Sequence, residues 1–221
     1  MQRPKKKAPP PSLTISQELR ERIANQHLPP GSRIEETKLA TEFGMSRTVI
    51  REALGLLEQR GLIVRIPNRG AIVKRLEPKE IYEIFDVREV LEGLCARQAT
   101  VNAPTGAWQP FHDGLGEEMR RTIEQGDIHV YDDALDRLRD EMLRIADNSH
   151  VTQMLSVVLD KARVIRRRVT LLPGRAELGR QMHRSMLEAM MAGDAALAEK
   201  IKRDIIRSAC DALRRYHDVI L

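Results

Sequence analysis

Residues 36–54 read ETKLATEFGMSRTVIREAL, two short amphipathic stretches joined through Gly44. Leu39, Ala40 and Phe43 share one face of the first stretch, at the spacing that lets a helix bury a stripe. Gly44 tolerates the left-handed backbone that a tight turn between helices demands, and Ser46 carries the side-chain oxygen that caps a helix start. In the second stretch Ala53, Leu54 and Leu57 recur on the buried face, leaving Ser46, Arg47, Thr48 and Arg51 on its exposed leading end. Helix, glycine turn and capped helix together predict a helix-turn-helix. Its exposed end suits DNA, because the free N–H groups of a helix N-terminus attract phosphate and a guanidinium matches both acceptors on a guanine edge.

Working outward, Ser12 is placed to cap an earlier helix that carries Leu13, Leu19 and Ile23 and runs to about His27, where Pro29-Pro30-Gly31 closes it. On the other side, 62–66 reads as a strand, Pro67-Asn68-Arg69-Gly70 as a turn and 71–74 as a returning strand, a small β-hairpin placed as a wing. Residues 12–75 are therefore expected to form a winged helix-turn-helix domain. The preceding 1–11, with three consecutive lysines and three consecutive prolines, lacks the apolar residues to fold and is expected to be a disordered basic tail.

Charge divides along the same line. Residues 1–75 hold 15 Lys and Arg against 7 Asp and Glu, a balance of +8, while the remainder holds 22 against 25, a balance of −3. A basic small domain beside a mildly acidic larger one points the first toward a polyanion. From Pro78 the pattern is helical throughout, broken near 103–106, 126–127, 147–149, 173–174 and 193–194. These breaks leave helices near 78–102, 108–125, 128–146, 149–171, 175–192 and 195–218. The fold class is mainly α, with 78–221 an antiparallel bundle of six or seven helices. No apolar run approaches the ~20 residues of a membrane span, and the charged start lacks a secretory stretch, so a cytoplasmic protein is expected. Cys95 and Cys210 lack metal-type spacing and read as buried reduced thiols. No nucleophile–base pair or phosphate-cradling loop stands out, so no enzyme is predicted.

The match with known sequences is extensive: Pro30-Gly31, Glu36, Leu39-Ala40, Phe43-Gly44, Ser46-Arg47, 49–54, Leu57-Glu58 and Arg60-Gly61-Leu62. In these residues the segment resembles the GntR family of bacterial regulators. The resemblance implies that Arg47 and Arg51 contact an operator, that Ser46 and Thr48 touch phosphates or bases, and that Asn68-Arg69-Gly70 at the wing tip approaches the minor groove. Thr37 stands where relatives often place another DNA-contacting arginine; Lys38 or Arg33 could substitute electrostatically.

The later motifs Val87-Arg88-Glu89-Val90-Leu91-Glu92-Gly93, Gly126-Asp127, Asn148 and 183–194 resemble the FadR-like subgroup of that family. That likeness implies a helical domain that dimerises and encloses a pocket, commonly for a carboxylate metabolite. Many members hold a divalent metal there through an Asp, a His four residues later and two further His residues. In register those positions are Leu135, Arg139, His183 and Ile205, so one ligand of four remains and no metal or other cofactor is expected. Asp136 and Asp140 lie about 100° off the pocket-facing register and read as solvated acids, as does the face bearing Arg163, Arg166, Arg167 and Arg168. Arg139 then offers a fixed positive charge for an anionic effector beside Arg88 and His183, or alternatively meets an internal carboxylate such as Glu92. The expected function is a sequence-specific DNA-binding repressor, a homodimer on a double-stranded operator, controlled by a small anionic metabolite. A ligand-independent architectural DNA-binding protein is the alternative.

Overall fold

A computed structural model describes residues 9–216, and internal contacts separate the chain into two units, Met1–Leu76 and Glu77–Leu221. In the first, α1 (Pro11–Ala24), β1 (Arg33–Ile34), α2 (Glu36–Phe43), α3 (Arg47–Gln59), β2 (Ile63–Ile66) and β3 (Gly70–Val73) follow in order. Gly44 ends α2 in the left-handed region at φ 62°, and Ser46 caps α3 by accepting from the Val49 N–H at 3.4 Å. Leu19, Ile23, Ile50, Leu54, Leu57, Ile63 and Val73 are buried, so helices and sheet share one small core. The Arg22 guanidinium ties α1 to α2, reaching Glu42 and lying 5.2 Å from the centre of the Phe43 ring.

Three local expectations are corrected. Ser12 is not the cap: Pro10 holds that position and Pro11 opens α1, since a proline's fixed φ and missing N–H suit a first turn. The expected tail therefore ends earlier than residue 11, and its residues 1–8 lie outside the described residues. The hairpin is in fact the larger part of a three-stranded sheet ordered β1-β3-β2, with Arg33 opposite Ile72 and Ile34 opposite Ala71.

The second unit is helical: α4 (Pro78–Asn102), α5 (Gln109–Gly114), α6 (Glu117–Glu124), α7 (Ile128–Ala146), α8 (Ser149–Thr170), α9 (Arg175–Met191) and α10 (Ala195–Arg215). Side-chain caps set two of the starts, Asn148 accepting from the Val151 N–H at 3.1 Å and Asp194 from the Leu197 N–H at 2.9 Å. The single helix expected near 108–125 is divided at Leu115-Gly116. A Cβ on Gly116 would come within 2.8 Å of the Asp113 carbonyl oxygen, so the break is made by the residue that lacks one. Helix α4 packs most extensively on α10 and also on α7 and α8. Trp108, Tyr131, Met142, Leu155, Met186 and Leu187 fill the core around it.

Leu54 is fully buried where α3 meets its neighbours. Leu54→Ala is expected to destabilise the first unit by about 2–5 kcal/mol in chemical denaturation; a loss below about 1 kcal/mol would show that α3 is not locked in this way.

Candidate functional site

The first candidate surface is the leading end of α3. Arg47 and Arg51 are one turn apart and their side chains are 60% and 56% exposed. Ser46 and Thr48 are exposed beside them. Glu36 on α2 reaches across: its Oε2 accepts from Arg51 Nε at 2.8 Å and lies 3.9 Å from Arg47 Nη2. Arg65, at the base of the wing, donates to the Arg51 carbonyl at 3.1 Å and pairs with Glu58 at 3.1 Å, fixing β2 against α3. The wing turn holds Asn68 at φ 63° and Gly70 at φ 79°, with Asn68, Arg69 and Gly70 all exposed. Thr37 is exposed on α2. Lys38 is engaged by Glu35 at 2.8 Å, whereas Arg33 on β1 stands beside the wing, its Nε 4.0 Å from where a Gly70 Cβ would lie. Glu36 and Arg65 escaped the sequence reading as acting residues. Their partners are 15 and 14 residues away, beyond any helical periodicity.

The second candidate site is a cavity of about 60 Å³ inside the helical unit. Arg88, Arg139 and His183 all line it, as do Leu135 and Ile205, so the four positions read from the subgroup's metal site converge on one space. An aliphatic pair, a guanidinium and one imidazole are not a metal-ligand set, and the residues present do not fit a divalent ion. The cations are more numerous than the sequence revealed: Arg166, Arg175 and Lys202 join Arg88 and Arg139, against Glu92 as the one lining carboxylate.

Burial is what gives these charges their strength. Glu92 binds Arg88 at 2.7 Å and Lys202 at 2.9 Å; burial resists its ionisation, but those two cations overcome it and hold the carboxyl well below its usual range. Arg139 does not take Glu92, the alternative partner read from the sequence; it donates to Asp136 Oδ1 at 2.6 Å. Arg166 grips the same carboxylate at 3.0 Å through Nη2, with Arg163 at 3.1 Å. Asp136 and Arg166 are therefore not solvated as expected, because the 100° offset that turns Asp136 from the pocket turns it toward α8. Asp140 is exposed. Burial lowers the pKa of Lys202, of Arg139 and of Arg175. Three of the guanidiniums that line the cavity have a buried nitrogen without a hydrogen-bond partner, Arg139 Nε, Arg166 Nε and Arg175 Nη1, the second of them 3.7 Å from Asp132 Oδ1.

His183 supplies the complementary group. Burial, then the Lys202 charge, pushes its pKa down to about 3, so the ring is neutral near pH 7. Its Nδ1 lies 2.7 Å from the Gly179 carbonyl, which can only accept; the proton is on Nδ1 and Nε2 is left as an acceptor. Gly179 also makes room for Tyr131, whose hydroxyl would stand 2.7 Å from a Cβ there.

A winged helix-turn-helix with exposed arginines at the leading end of its second helix-turn-helix helix defines a DNA-binding regulator. The pattern of "Bacterial regulatory proteins, gntR family" matches residues 11–73 and that of the "FCD domain" matches 83–208. The chain belongs to the GntR family of transcription regulators, in the branch that carries this helical domain, and is not an enzyme. It is 32% identical over 155 residues to the uncharacterized HTH-type transcriptional regulator YdhC of Bacillus subtilis, covering 70% of this chain and 69% of the relative. It is 28% identical to the probable D-xylose utilization operon transcriptional repressor of Paenarthrobacter nicotinovorans over 80% of this chain and 77% of that one. Its fold is that of E. coli McbR/YncC, with TM-score 0.80 at 20% identity over 94% of this chain and 98% of that one. No described helix is long and apolar enough to cross a membrane.

The folded-state pKa of His183 lies below the unfolded value near 6.5. Its contribution to stability is therefore complete above pH ~6.5 and is lost as pH falls toward 3. Thermal denaturation of the wild type should show a steeper loss across that window than His183→Gln. Parallel curves would contradict the buried neutral imidazole.

Proposed function

We propose that the chain is a cytoplasmic repressor that binds a pseudo-palindromic double-stranded operator as a homodimer and responds to a small anionic metabolite. In this reading Arg47 and Arg51 reach base edges in the major groove. Ser46, Thr48 and Thr37 position the helix at bases or phosphates, and Asn68, Arg69 and Gly70 bring the wing to the minor groove. Arg51 would have to exchange its bond to Glu36 for one to the DNA, a cost that a correct site repays better than a random one. The effector would be held by Arg88, Arg139 and His183, assisted by Arg166, Arg175 and Lys202.

The observation that carries the effector half is the set of buried guanidinium donors left without partners around an open cavity. An unpaired buried donor costs on the order of 1–3 kcal/mol, and more when charged. A carboxylate or phosphate of a few heavy atoms would offset that cost, and the neutral His183 would accept from a hydroxyl next to it. The space suits such a ligand, since one water needs on the order of 10–15 Å³ on the same measure and the cavity holds about 60 Å³. Arg175 also lines an outer cleft of about 550 Å³ with Leu172 and Arg215. A ligand-independent architectural protein would be served by a filled apolar core, and this cavity is neither.

Operator sites selected from random DNA test the first half. Arg47→Ala and Arg51→Ala should each weaken the selected site by about 1–3 kcal/mol, with relaxed preference at one base pair and unchanged melting. Unaltered specificity would overturn these roles. For the second half, a panel of small carboxylates and phosphates should contain a compound that raises the melting temperature by roughly 5 °C at saturating concentration. Arg139→Leu should abolish that shift. A panel without effect on the wild type, or a shift that Arg139→Leu leaves intact, would overturn the assignment.

A further inference from the structure

Among the described residues that line the cavity, Lys202 on α10 is the one primary amine. Its side chain is 7% exposed, so an amine that ordinarily sits in water is turned inward. Glu92 Oε2 lies 2.9 Å from its Nζ, yet that oxygen is among the buried atoms left without a directed hydrogen bond. The contact is an ion pair that balances charge without fixing the direction of the amine's protons. As a counter-charge alone an arginine would serve Glu92 better, because its planar fork matches a carboxylate, whereas a buried lysine readily gives up its proton.

The surroundings favour that neutral, nucleophilic form. Burial lowers the Lys202 pKa most; Glu92 opposes the shift, and Arg139 and Arg88 add to it. An amine desolvated beside other cations is the form that attacks carbonyl carbons. The guanidiniums around it offer Arg139 Nε and Arg175 Nη1, both buried and without a hydrogen-bond partner, to a carboxylate. Leu135, Met142 and Ile205 give a short carbon chain an apolar wall. The volume of about 60 Å³ admits a molecule of roughly four to six water-sized groups, the size of a 2-oxo acid of about three or four carbons.

We propose that Lys202 captures the effector through a reversible covalent bond: the ligand is a short 2-oxo acid whose carboxylate pairs with Arg139 and Arg175 and whose ketone carbon forms an imine with Lys202 Nζ. The ammonium gives one proton to Glu92 Oε2, and the freed lone pair forms the bond to the carbonyl carbon. The C=O π pair moves to the oxygen, which takes the proton back from Glu92. A second proton passes from nitrogen to that oxygen, and water leaves as the C=N bond forms. Ammonium and ketone thus become iminium and water, with nothing oxidised or reduced. Positive charge remains beside Glu92, so the buried pair survives the reaction. A 2-hydroxy acid of the same size and charge meets the same guanidiniums and forms no such bond, so the amine reads the oxidation level of the ligand.

The inference rests on the anion-binding reading above and adds a bond to it, so the test separates the two. The wild-type chain is equilibrated with pyruvate or 2-oxobutanoate, treated with sodium cyanoborohydride to reduce any imine to a stable amine, and mapped by peptide mass spectrometry. Lys200, exposed on the same helix, is the internal reference. Lys202 should be labelled at least ~10-fold more than Lys200 with one of the two acids. Excess lactate, which lacks the carbonyl, should suppress the label at Lys202 alone. Lys202→Arg, which keeps a cation for Glu92, should lose the label while lactate still raises its melting temperature. Labelling of Lys202 no greater than that of Lys200 with both acids, or labelling that lactate leaves unchanged, would overturn the imine. If the acids raise the melting temperature without labelling Lys202, the anion site stands and the covalent step falls. If neither they nor any other small anion raises it, both readings fall.

Discussion

The buried carboxylate of Glu92 is the constraint around which the helical unit is organised. It sits on α4 between Arg88, one turn earlier on the same helix, and Lys202 on α10. Without it two cations would be buried with no counter-charge along the most extensively packed pair of helices. Removing one partner of such a pair is far more damaging than the pair is stabilising, because the desolvated charge left behind has nowhere to go. Asp136 plays the same part between α7 and α8, where Arg139, Arg163 and Arg166 crowd a single carboxylate. The arrangement is one acid short of neutral comfort at several points, and that shortage faces the cavity. A fold stabilised only by its own contacts would not gain from this. A fold that closes on an anion would.

The same accounting describes the DNA-reading unit in reverse. There the cations are in water, and Glu36 holds Arg51 at modest cost. An exposed ion pair of this kind contributes little to stability, so its effect is on geometry: the guanidinium is held near the leading end of α3 instead of sampling many rotamers. Arg65 does similar work from the wing, where it spans the α3 backbone and Glu58. In the roles proposed above, DNA reading and effector sensing would use one chemical group, guanidinium, in two dielectric settings.

Legibility from the sequence followed the range of the interactions. Gly44 and Ser46 act on neighbours within a turn, so the helix-turn-helix could be read from 19 letters. The i,i+4 spacing of Leu135 and Arg139 was enough to bring both to one wall of the cavity, and Ile205 and His183 met them there. Where the decisive partner is remote, the residues were silent. Lys202 is 110 positions from Glu92 and Arg166 is 30 from Asp136, and no periodicity links either pair. Strand β1 was missed because two residues carry no alternation; it exists only because β3 offers an edge. The division of α5 from α6 hid in Gly116, whose role depends on a carbonyl three residues back that only the folded turn brings close.

The central claim is that the helical unit is built around an anion. The most direct measurement is native mass spectrometry of the full chain purified without added ligand, followed by analysis of what it releases on denaturation. The expected result is a small compound bearing a carboxylate or phosphate, bound once per chain and replaceable by an excess of the same compound. A chain whose mass is that of the polypeptide alone, and which takes up no small anion at millimolar concentration, would contradict it.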